Sequence, residues 1–334
     1  MRERGSSRRQ FLTRTAAGVA GAASGPFILE RARAAARELV VCSWGGAYQK
    51  ALRQAYFDPF EKATGIKVID TSAPEVARVK AQVESRNVEW DVIEAGTRWY
   101  SVLVNQKLVQ PLDMKAIDTR DLLPDAVLAH GIGHNIVSQT LSYSTSGVKG
   151  EPPRGWADFW DVKKYPGPRA YLGDVTYALE FALLADGVPA DRLYPVDVDR
   201  AFGKLAELKP HVKVWWKQGD QPIQLLSQGE VVMSPAWNGR VLAAQDKKLP
   251  VALTWEQGCY SPSFFLIPTG APHVEEAHRF IDFTCKAEPQ AELAKEIPYG
   301  PTNRKALDLV PTEQRRRLPT YPDNFKVQWA LDGE

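Results

Sequence analysis

The sequence predicts an α/β protein built from two lobes, and two patterns support that prediction. From Glu38 onward, β-prone runs alternate with amphipathic helical runs, an order typical of a parallel sheet covered by helices on both faces. A second series of the same kind starts near Ser146, within the Gly/Pro-rich stretch "SGVKGEPPRG". The chain has 334 residues, 44% of them hydrophobic, which is enough to give each lobe its own core.

The first 36 residues have the layout of an export signal. Basic residues precede a weakly apolar, Ala/Gly-rich run, and "ARAAA" supplies small residues for cleavage near Ala36. The pair Arg8-Arg9, with Phe11 close behind, resembles the twin-arginine signal. We therefore expect a periplasmic protein that the twin-arginine pathway exports.

Removal of residues 1–36 changes the charge of the chain. This segment holds seven Arg and two acidic residues, so the net charge falls from +2 to −3. A weakly acidic mature chain gives no reason to expect a nucleic acid or an anionic membrane as partner. No later segment approaches the ~20 apolar residues that span a bilayer, so the sequence predicts a soluble exported protein.

In the first lobe, "ELVVCSW", "IKVID" and "DVIEAG" are the predicted strands, and each is followed by a helical run. Within the first helical run, Asp58-Pro59 predicts a cap and a restart of the helix. Gly65 predicts its end. Ligands of such sheets bind beyond the carboxyl ends of the strands, so the residues that follow these strands are candidates for a site.

The second lobe repeats this alternation. Its predicted strands are "RAYLGD", "VKVWW", "VVMSPAW" and "VALTW", and its predicted helices are "YALEFALLADG", "DVDRAFGKLAELK" and "PIQLLSQG". A further strand, "SFFLIPTG", then leads to the amphipathic helix "HVEEAHRFIDFTCK". Neither an internal repeat nor a low-complexity segment interrupts the series.

The usual patterns of catalytic and metal sites are missing from the sequence. It has no phosphate-binding GxxxxGK and no GxSxG nucleophile motif. His130 and His134 are four residues apart, but the glycines of "HGIGH" disfavour the helix that would aim both at one metal. Cys42, Cys259 and Cys285 form no CxxC, and Cys42 fits a buried strand better than a lipidated N-terminus. We therefore predict no enzyme, no cofactor and no metal.

Aromatic residues follow several predicted strands. Trp44, Trp99, Trp237 and Trp255 all stand at such positions. The face of a tryptophan attracts a cation by ~0.5–2 kcal/mol, although any single aromatic residue belongs to the core more often than not. Asp174, at the end of "YLGD", has two interpretations: it caps the next helix, or it holds the charged end of a ligand.

Four stretches of the chain resemble the spermidine/putrescine-binding proteins of ABC importers and their broader solute-binding relatives. In chain order they are "SWGGAYQKALRQAYFDPFEKATGIKV", "WADFWDVKKYPG", "WNGR" and "IPYGPTN". The resemblance implies the type II periplasmic-binding-protein fold, in which two mixed sheets flanked by helices are joined by crossing strands. It places lobe 1 at residues 37–142 and 266–334, with a helical C-terminal tail, and lobe 2 at residues 143–265. It also implies a monomer that delivers its ligand to a membrane permease.

The resemblance extends to the ligand site. A cleft tryptophan, an acidic residue of the second lobe, the Trp of "WNG" and a ligand-lining tyrosine have matches here. With the turn that follows the first strand, the residues expected to line the cleft are Trp44, Gly45, Gly46, Tyr48, Asp174, Trp237 and Tyr299.

Three further cleft positions depart from the polyamine-binding pattern. Arg98 stands where the family has a tyrosine, and Tyr177 and Ser263 replace two acidic residues. A polyamine needs acidic partners at both ends, because a buried unpaired charge is very costly. Arg98 opposite Asp174 suits a zwitterion, since arginine binds carboxylates in a bidentate manner. Alternatively, Arg98 pairs with Glu94 or another local acid on the surface.

The sequence thus predicts the periplasmic substrate-binding protein of an ABC transporter. Its expected cargo is a small amine-bearing solute, either polyamine-like or an amino-carboxylate zwitterion. We expect the solute to shift the lobes from an open to a closed form. Two alternatives stay open: an exported enzyme on the same two-lobed scaffold, and a ligand-binding adaptor for a chemosensor.

Overall fold

Strands and helices alternate along residues 38–333, the part of the chain that the computed structural model describes. The predicted export signal lies outside these residues. The strands are β1 (Glu38–Ser43), β2 (Lys67–Ser72), β3 (Val92–Gly96), β4 (Val127–Leu128), β5 (Gly131–Ser144), β6 (Arg169–Leu172), β7 (Val212–Trp216), β8 (Met233–Trp237), β9 (Val251–Leu266), β10 (Gly300–Pro301) and β11 (Trp329–Ala330).

The helices lie between the strands and after β9. They are α1 (Gly46–Leu52), α2 (Asp58–Thr64), α3 (Val76–Ser85), α4 (Thr97–Asn105), α5 (Trp156–Trp160), α6 (Ala178–Ala185), α7 (Val198–Leu208), α8 (Gln221–Ser227), α9 (Asn238–Asp246), α10 (Val274–Thr284), α11 (Ala287–Glu296), α12 (Thr312–Arg315) and α13 (Pro322–Phe325). Within residues 38–333, none of them has the length and apolar character that a membrane crossing requires.

The strand order β2-β1-β3-β9-β5-β8-β6-β7 contains two parallel groups. In the first, β1 pairs in parallel with β2 and β3; in the second, β6 pairs in parallel with β7 and β8. The long strands β5 and β9 pair antiparallel between the groups, with register shifts at Gly133/Asn135 and Gln139/Leu141. These are the crossing strands, so the predicted two-lobed α/β fold is confirmed. We call the part around β1–β3 the first lobe and the part around β6–β8 the second lobe.

Each lobe has its own core, as the composition suggested. In the first lobe, Leu39 and Val41 face one buried cluster, whereas Cys42 and Ile93 face another, because successive strand residues point to opposite sides. In the second lobe, the ring of Trp156 stacks on Phe181 with centroids 3.7 Å apart. In the first lobe, buried clusters therefore cover both faces of the sheet, as is typical of parallel strands.

The C-terminal segment packs on the second lobe. β11 pairs with β9 at Cys259 and Tyr260, and Trp329 and Leu331 belong to the second-lobe core cluster. Helices α10 and α11, in contrast, contribute buried residues to a first-lobe cluster. The positions at which the chain passes from one lobe to the other, after residues 142 and 265, stay a prediction.

The helix after β1 differs from the prediction. Asp58 caps nothing, since α1 continues through a π-helical turn, Arg53–Phe57, directly into α2. A π turn changes the backbone hydrogen-bond pattern, and this accommodates Pro59, which lacks an N–H, without a break. The carboxylate of Asp58 instead pairs with Arg53 at 2.9 Å. Gly65, with φ +72°, ends α2 as predicted.

All three cysteines are buried as free thiols. Burial raises the pKa of Cys42 to about 12 and also raises the pKa values of Cys259 and Cys285. A protonated, enclosed thiol is a poor nucleophile, so these side chains act as small apolar core residues.

Candidate functional site

A cavity of about 170 Å³ lies where the carboxyl ends of strands from both lobes meet. Its lining follows the ends of β1, β3, β6, β7 and β8, the place that the sheet topology predicts for a ligand. Eight of the ten predicted site residues line it: Trp44, Tyr48, Arg98, Asp174, Tyr177, Trp237, Ser263 and Tyr299. Gly45 and Gly46 line a neighbouring groove beside α1 instead.

Aromatic rings from both lobes form the walls of the cavity. In the first lobe, the rings of Trp44 and Trp99 are 5.0 Å apart and tilted by 56°. In the second, the ring of Tyr177 meets Trp237 edge-on at 5.5 Å. Trp255 is not part of these walls, because "VALTW" and "SFFLIP" form one continuous strand, β9, and Trp255 lies within it. The indole walls give a small solute apolar and cation–π contacts.

A buried hydrogen-bond network supports one wall of the cavity, and no motif in the sequence predicted it. Tyr48 donates its hydroxyl proton to Glu94 at 2.6 Å and accepts a hydrogen bond from the Asn135 amide at 2.7 Å. Glu94 is fully buried, and it also contacts Ser43 and, at 3.3 Å, the imidazole of His134. His134 lies in strand β5, and its imidazole is part of this hydrogen-bond network.

The Tyr48 ring in turn contacts Tyr299 edge-on, with centroids 5.4 Å apart. Burial raises the pKa of both phenols, so both hydroxyls stay neutral hydrogen-bonding groups at physiological pH. The network thus fixes two rings that line the cavity through one buried carboxylate, Glu94.

Arg98 makes a contact that neither sequence interpretation included. Its guanidinium forms an ion pair with Glu180 of α6, in the opposite lobe, and not with the local acid Glu94. Glu180 is fully buried, and the side chain of Arg98 is 20% exposed. Arg98 thus lines the cavity while its guanidinium pairs with Glu180 across the cleft.

Asp174 holds a turn and caps no helix. One carboxylate oxygen, Oδ1, accepts a hydrogen bond from the backbone N–H of Thr176 at 2.8 Å, and α6 starts only at Ala178. Tyr177, at the N-terminus of α6, has φ +66°, a conformation that a non-glycine residue seldom adopts. This turn presents the exposed carboxylate of Asp174 and the ring of Tyr177 at one edge of the cavity.

Arg240 is a cavity-lining residue that the sequence reasoning missed. It is 5% exposed and forms an ion pair with Asp220, yet its Nε is buried without a hydrogen-bond partner in the described part of the chain. The side chain of Arg240 can occupy this position because residue 219 is a glycine: a Cβ added to Gly219 would lie 2.9 Å from the guanidinium carbon of Arg240. The sequence did contain a sign of this residue, because Arg240 is the last residue of "WNGR", one of the stretches that resemble the solute-binding family.

The lobes also touch at Gly46. This residue has φ +64°, and a Cβ built on it would overlap with Oδ2 of Asp220 from the second lobe. The prediction that Gly46 allows close approach at the end of β1 therefore has a physical basis, although the approaching group is Asp220. Together with the pair between Arg98 and Glu180, this contact describes a closed cleft.

The family of the chain follows from comparison with known proteins. The family model described as "bacterial extracellular solute-binding protein" matches residues 55–320. This chain belongs to that family. The gamma-aminobutyric acid-binding protein of Pseudomonas aeruginosa is 37% identical over 310 residues, which cover 91% of this chain and 88% of that protein. The spermidine/putrescine-binding periplasmic protein of Escherichia coli K12 is 25% identical over 289 residues, which cover 82% of each chain.

Solved structures of solute-binding proteins share the fold. The periplasmic binding protein AgtB from A. tumefaciens R10, in complex with agropinic acid, matches with a TM-score of 0.84 and 36% identity, covering 89% of this chain and 93% of that one. The resemblance to the periplasmic solute-binding proteins of ABC importers is thereby confirmed. These relatives are named as binding proteins. As a solute-binding protein of this kind, the chain captures a small molecule in the periplasm for an ABC permease.

Proposed function

We propose that this solute-binding protein captures γ-aminobutyric acid or a close analogue, with an amine and a carboxylate joined by a short methylene chain. The observation that carries this proposal is the buried guanidinium of Arg240 in the cavity lining. A carboxylate suits such a group, because charge-assisted hydrogen bonds to arginine contribute about 1.5–3 kcal/mol each. A polyamine has no anionic group to offer, and its ammonium groups would be repelled.

The size of the cavity supports the same class of solute. A cavity of about 150 Å³ accommodates benzene, so the volume of about 170 Å³ here suits a molecule of similar size. γ-Aminobutyric acid is in that range, whereas spermidine is considerably longer. The relative from P. aeruginosa, named for this amino acid, supports the proposal independently.

We assign opposite ends of the solute to opposite charges in the cavity. Arg240, which lines the cavity and pairs with Asp220 through Nη1, would bind the carboxylate with its guanidinium. The exposed carboxylate of Asp174 would receive the amine, with Trp44 and Trp99 providing cation–π contacts. Because these residues come from both lobes, solute binding favours the closed form.

We further propose how the protein is exported, how its lobes are divided and to which partner it delivers the solute. The layout of residues 1–36 supports export by the twin-arginine pathway with cleavage near Ala36. The mature chain would act as a monomer with lobe 1 at residues 37–142 and 266–334 and lobe 2 at residues 143–265, apart from the segment around β11, which packs on the second lobe. It would deliver the solute to permease subunits in the inner membrane.

Isothermal titration calorimetry of the mature chain, residues 37–334, tests the solute class. We expect γ-aminobutyric acid to bind at least about a hundredfold more tightly than putrescine, which has the same length with an amine at both ends, because only the former pairs with Arg240. Butylamine and butyric acid, which lack one charge each, serve as controls and should also bind weakly. Tighter binding of putrescine than of γ-aminobutyric acid would contradict the proposal.

Alanine at Gly46 should weaken solute binding at least about tenfold, because its Cβ overlaps with Asp220 and keeps the lobes apart. Gly45→Ala is the matched control. Gly45 has a φ of +69° and a ψ of −174°, so alanine there is also strained, but its Cβ would lie in ordinary contact, 3.4 Å from Ser72 Cβ. Calorimetry with γ-aminobutyric acid compares the two variants, and an equal loss of affinity would show that backbone strain alone is responsible.

A further inference from the structure

Glu180 is a buried carboxylate that lies outside the cavity lining and contacts the opposite lobe. It is the one charged residue in the apolar helix α6, with the sequence "ALEFALLA", and none of its side chain is exposed. Its Oε1 accepts hydrogen bonds from Arg98 Nη2 and, at 3.2 Å, from the hydroxyl of Tyr194. Since Arg98 belongs to α4 of the first lobe, the ion pair crosses the cleft.

The C-terminal segment encloses this ion pair. The backbone N–H of Asp332 donates to the hydroxyl of Tyr194 at 3.2 Å, and its carbonyl accepts from Nε of Arg98 at 3.4 Å. The next residue, Gly333, lies against α4, where an added Cβ would be 2.8 Å from Cγ2 of Thr97. The segment therefore contacts both lobes beside the pair and reduces its access to water.

The buried carboxylate of Glu180 has Arg98 as its ion-pair partner. The second carboxylate oxygen, Oε2, is buried and has no hydrogen-bond partner among residues 38–333. If the lobes separate, α4 carries Arg98 away, and among the described residues the hydroxyl of Tyr194 is left as the hydrogen-bond donor to Glu180. A buried carboxylate that loses its cation is strongly destabilised, and an enclosed pair is screened little by salt.

We propose that Glu180 is a positioning residue for solute binding. Its carboxylate holds Arg98 across the cleft in the closed form and thereby sets how long the protein retains its solute. Arg98 acts in this proposal as the partner of Glu180 and not as the group that binds the carboxylate of the solute. The proposal rests on the family and the fold, and it holds for any solute that the cavity accepts.

Stopped-flow measurements of tryptophan fluorescence with γ-aminobutyric acid test this role, because several tryptophans line the cavity. For Glu180→Gln we expect the dissociation rate to rise about tenfold or more with little change in the association rate. Glu230→Gln removes the charge of an exposed pair with Lys213 within the second lobe and should leave both rates unchanged.

Arg98→Met distinguishes a role in closure from direct contact with the solute. If the pair acts as a unit, Arg98→Met should accelerate dissociation at least as much as Glu180→Gln, because it leaves the buried carboxylate unpaired, and the double variant should add little to Arg98→Met. A much larger loss with Arg98→Met, additive with that of Glu180→Gln, would overturn the proposal. Unchanged dissociation in Glu180→Gln would overturn it as well.

Small-angle X-ray scattering of the ligand-free protein tests the role of Glu180 without depending on the identity of the solute. We expect the wild type to populate the closed form measurably and Glu180→Gln to have a larger radius of gyration. If the wild type does not bind γ-aminobutyric acid but the two radii differ, the proposed solute is wrong and the role of Glu180 stands. Identical scattering from the two proteins would overturn the role of Glu180.

Discussion

Replacement of Arg240 by methionine should lower the affinity for γ-aminobutyric acid at least about a hundredfold. The variant loses about two charge-assisted hydrogen bonds to the solute, each contributing about 1.5 kcal/mol or more. Since every 1.4 kcal/mol corresponds to about a tenfold change in Kd, the total corresponds to about a hundredfold. The variant also leaves Asp220 without its cation, next to a solute that brings a carboxylate of its own. Calorimetry of the mature protein measures the change directly.

Two comparisons make this result specific. Arg317→Met is the matched control, because Arg317 pairs with Asp246 at 2.9 Å and donates to the carbonyl of Leu242 on α9, but does not line the cavity. It should leave the affinity unchanged. Putrescine should lose little affinity in Arg240→Met, since it carries no carboxylate. If both solutes lose affinity equally, Arg240 shapes the cavity and does not select the carboxylate.

Alanine at Glu94 should lower the free energy of unfolding by about 3–5 kcal/mol, because it leaves several buried polar groups unsatisfied at about 1–3 kcal/mol each. Without the carboxylate, the hydroxyls of Tyr48 and Ser43 and the imidazole of His134 lose their shared acceptor inside the protein. Urea denaturation followed by tryptophan fluorescence measures the change, provided that the unfolding transition is cooperative.

Two further variants define what the Glu94 carboxylate contributes. Glu94→Gln keeps an oxygen that accepts the proton of Tyr48, so its loss should be clearly smaller than that of Glu94→Ala. Glu75→Ala, which truncates an exposed carboxylate at the N-terminus of α3, should change stability by no more than about 0.5 kcal/mol. A loss below about 1 kcal/mol for Glu94→Ala would mean that water replaces the missing acceptor.

The alternating strands and helices of both lobes were predictable because their hydrophobic pattern is local. The crossing strands were harder to predict. The run "EQGCYSPS" suggests a turn that divides two strands, yet β9 continues through it because β5 pairs with it along most of its length. In the same way, "HGIGHNIVSQT" lacks a simple strand pattern, since it is buried on both faces of the sheet. Long-range pairing outweighs local propensity in both cases.

The same distinction between local and long-range interactions applies to the candidate site. Residues at strand ends, such as Trp44 and Trp237, could be predicted because the topology brings all carboxyl ends to one edge. Partners far apart in sequence could not. Arg98 and Glu180 are 82 positions apart, and only the closed arrangement of the two lobes brings them together. An isolated acid in an otherwise apolar helix was the available sign of Glu180.

The enclosed thiols of Cys42, Cys259 and Cys285 have a practical consequence. A maleimide dye reacts only with an accessible thiolate, so it should not react with any of the three native cysteines in the folded protein. It should react with a single cysteine introduced on the surface. A fluorophore attached near the rim of the cleft would then convert each closure into an optical signal. The chain thus provides the scaffold of a reagentless sensor for its solute, without prior removal of any native cysteine.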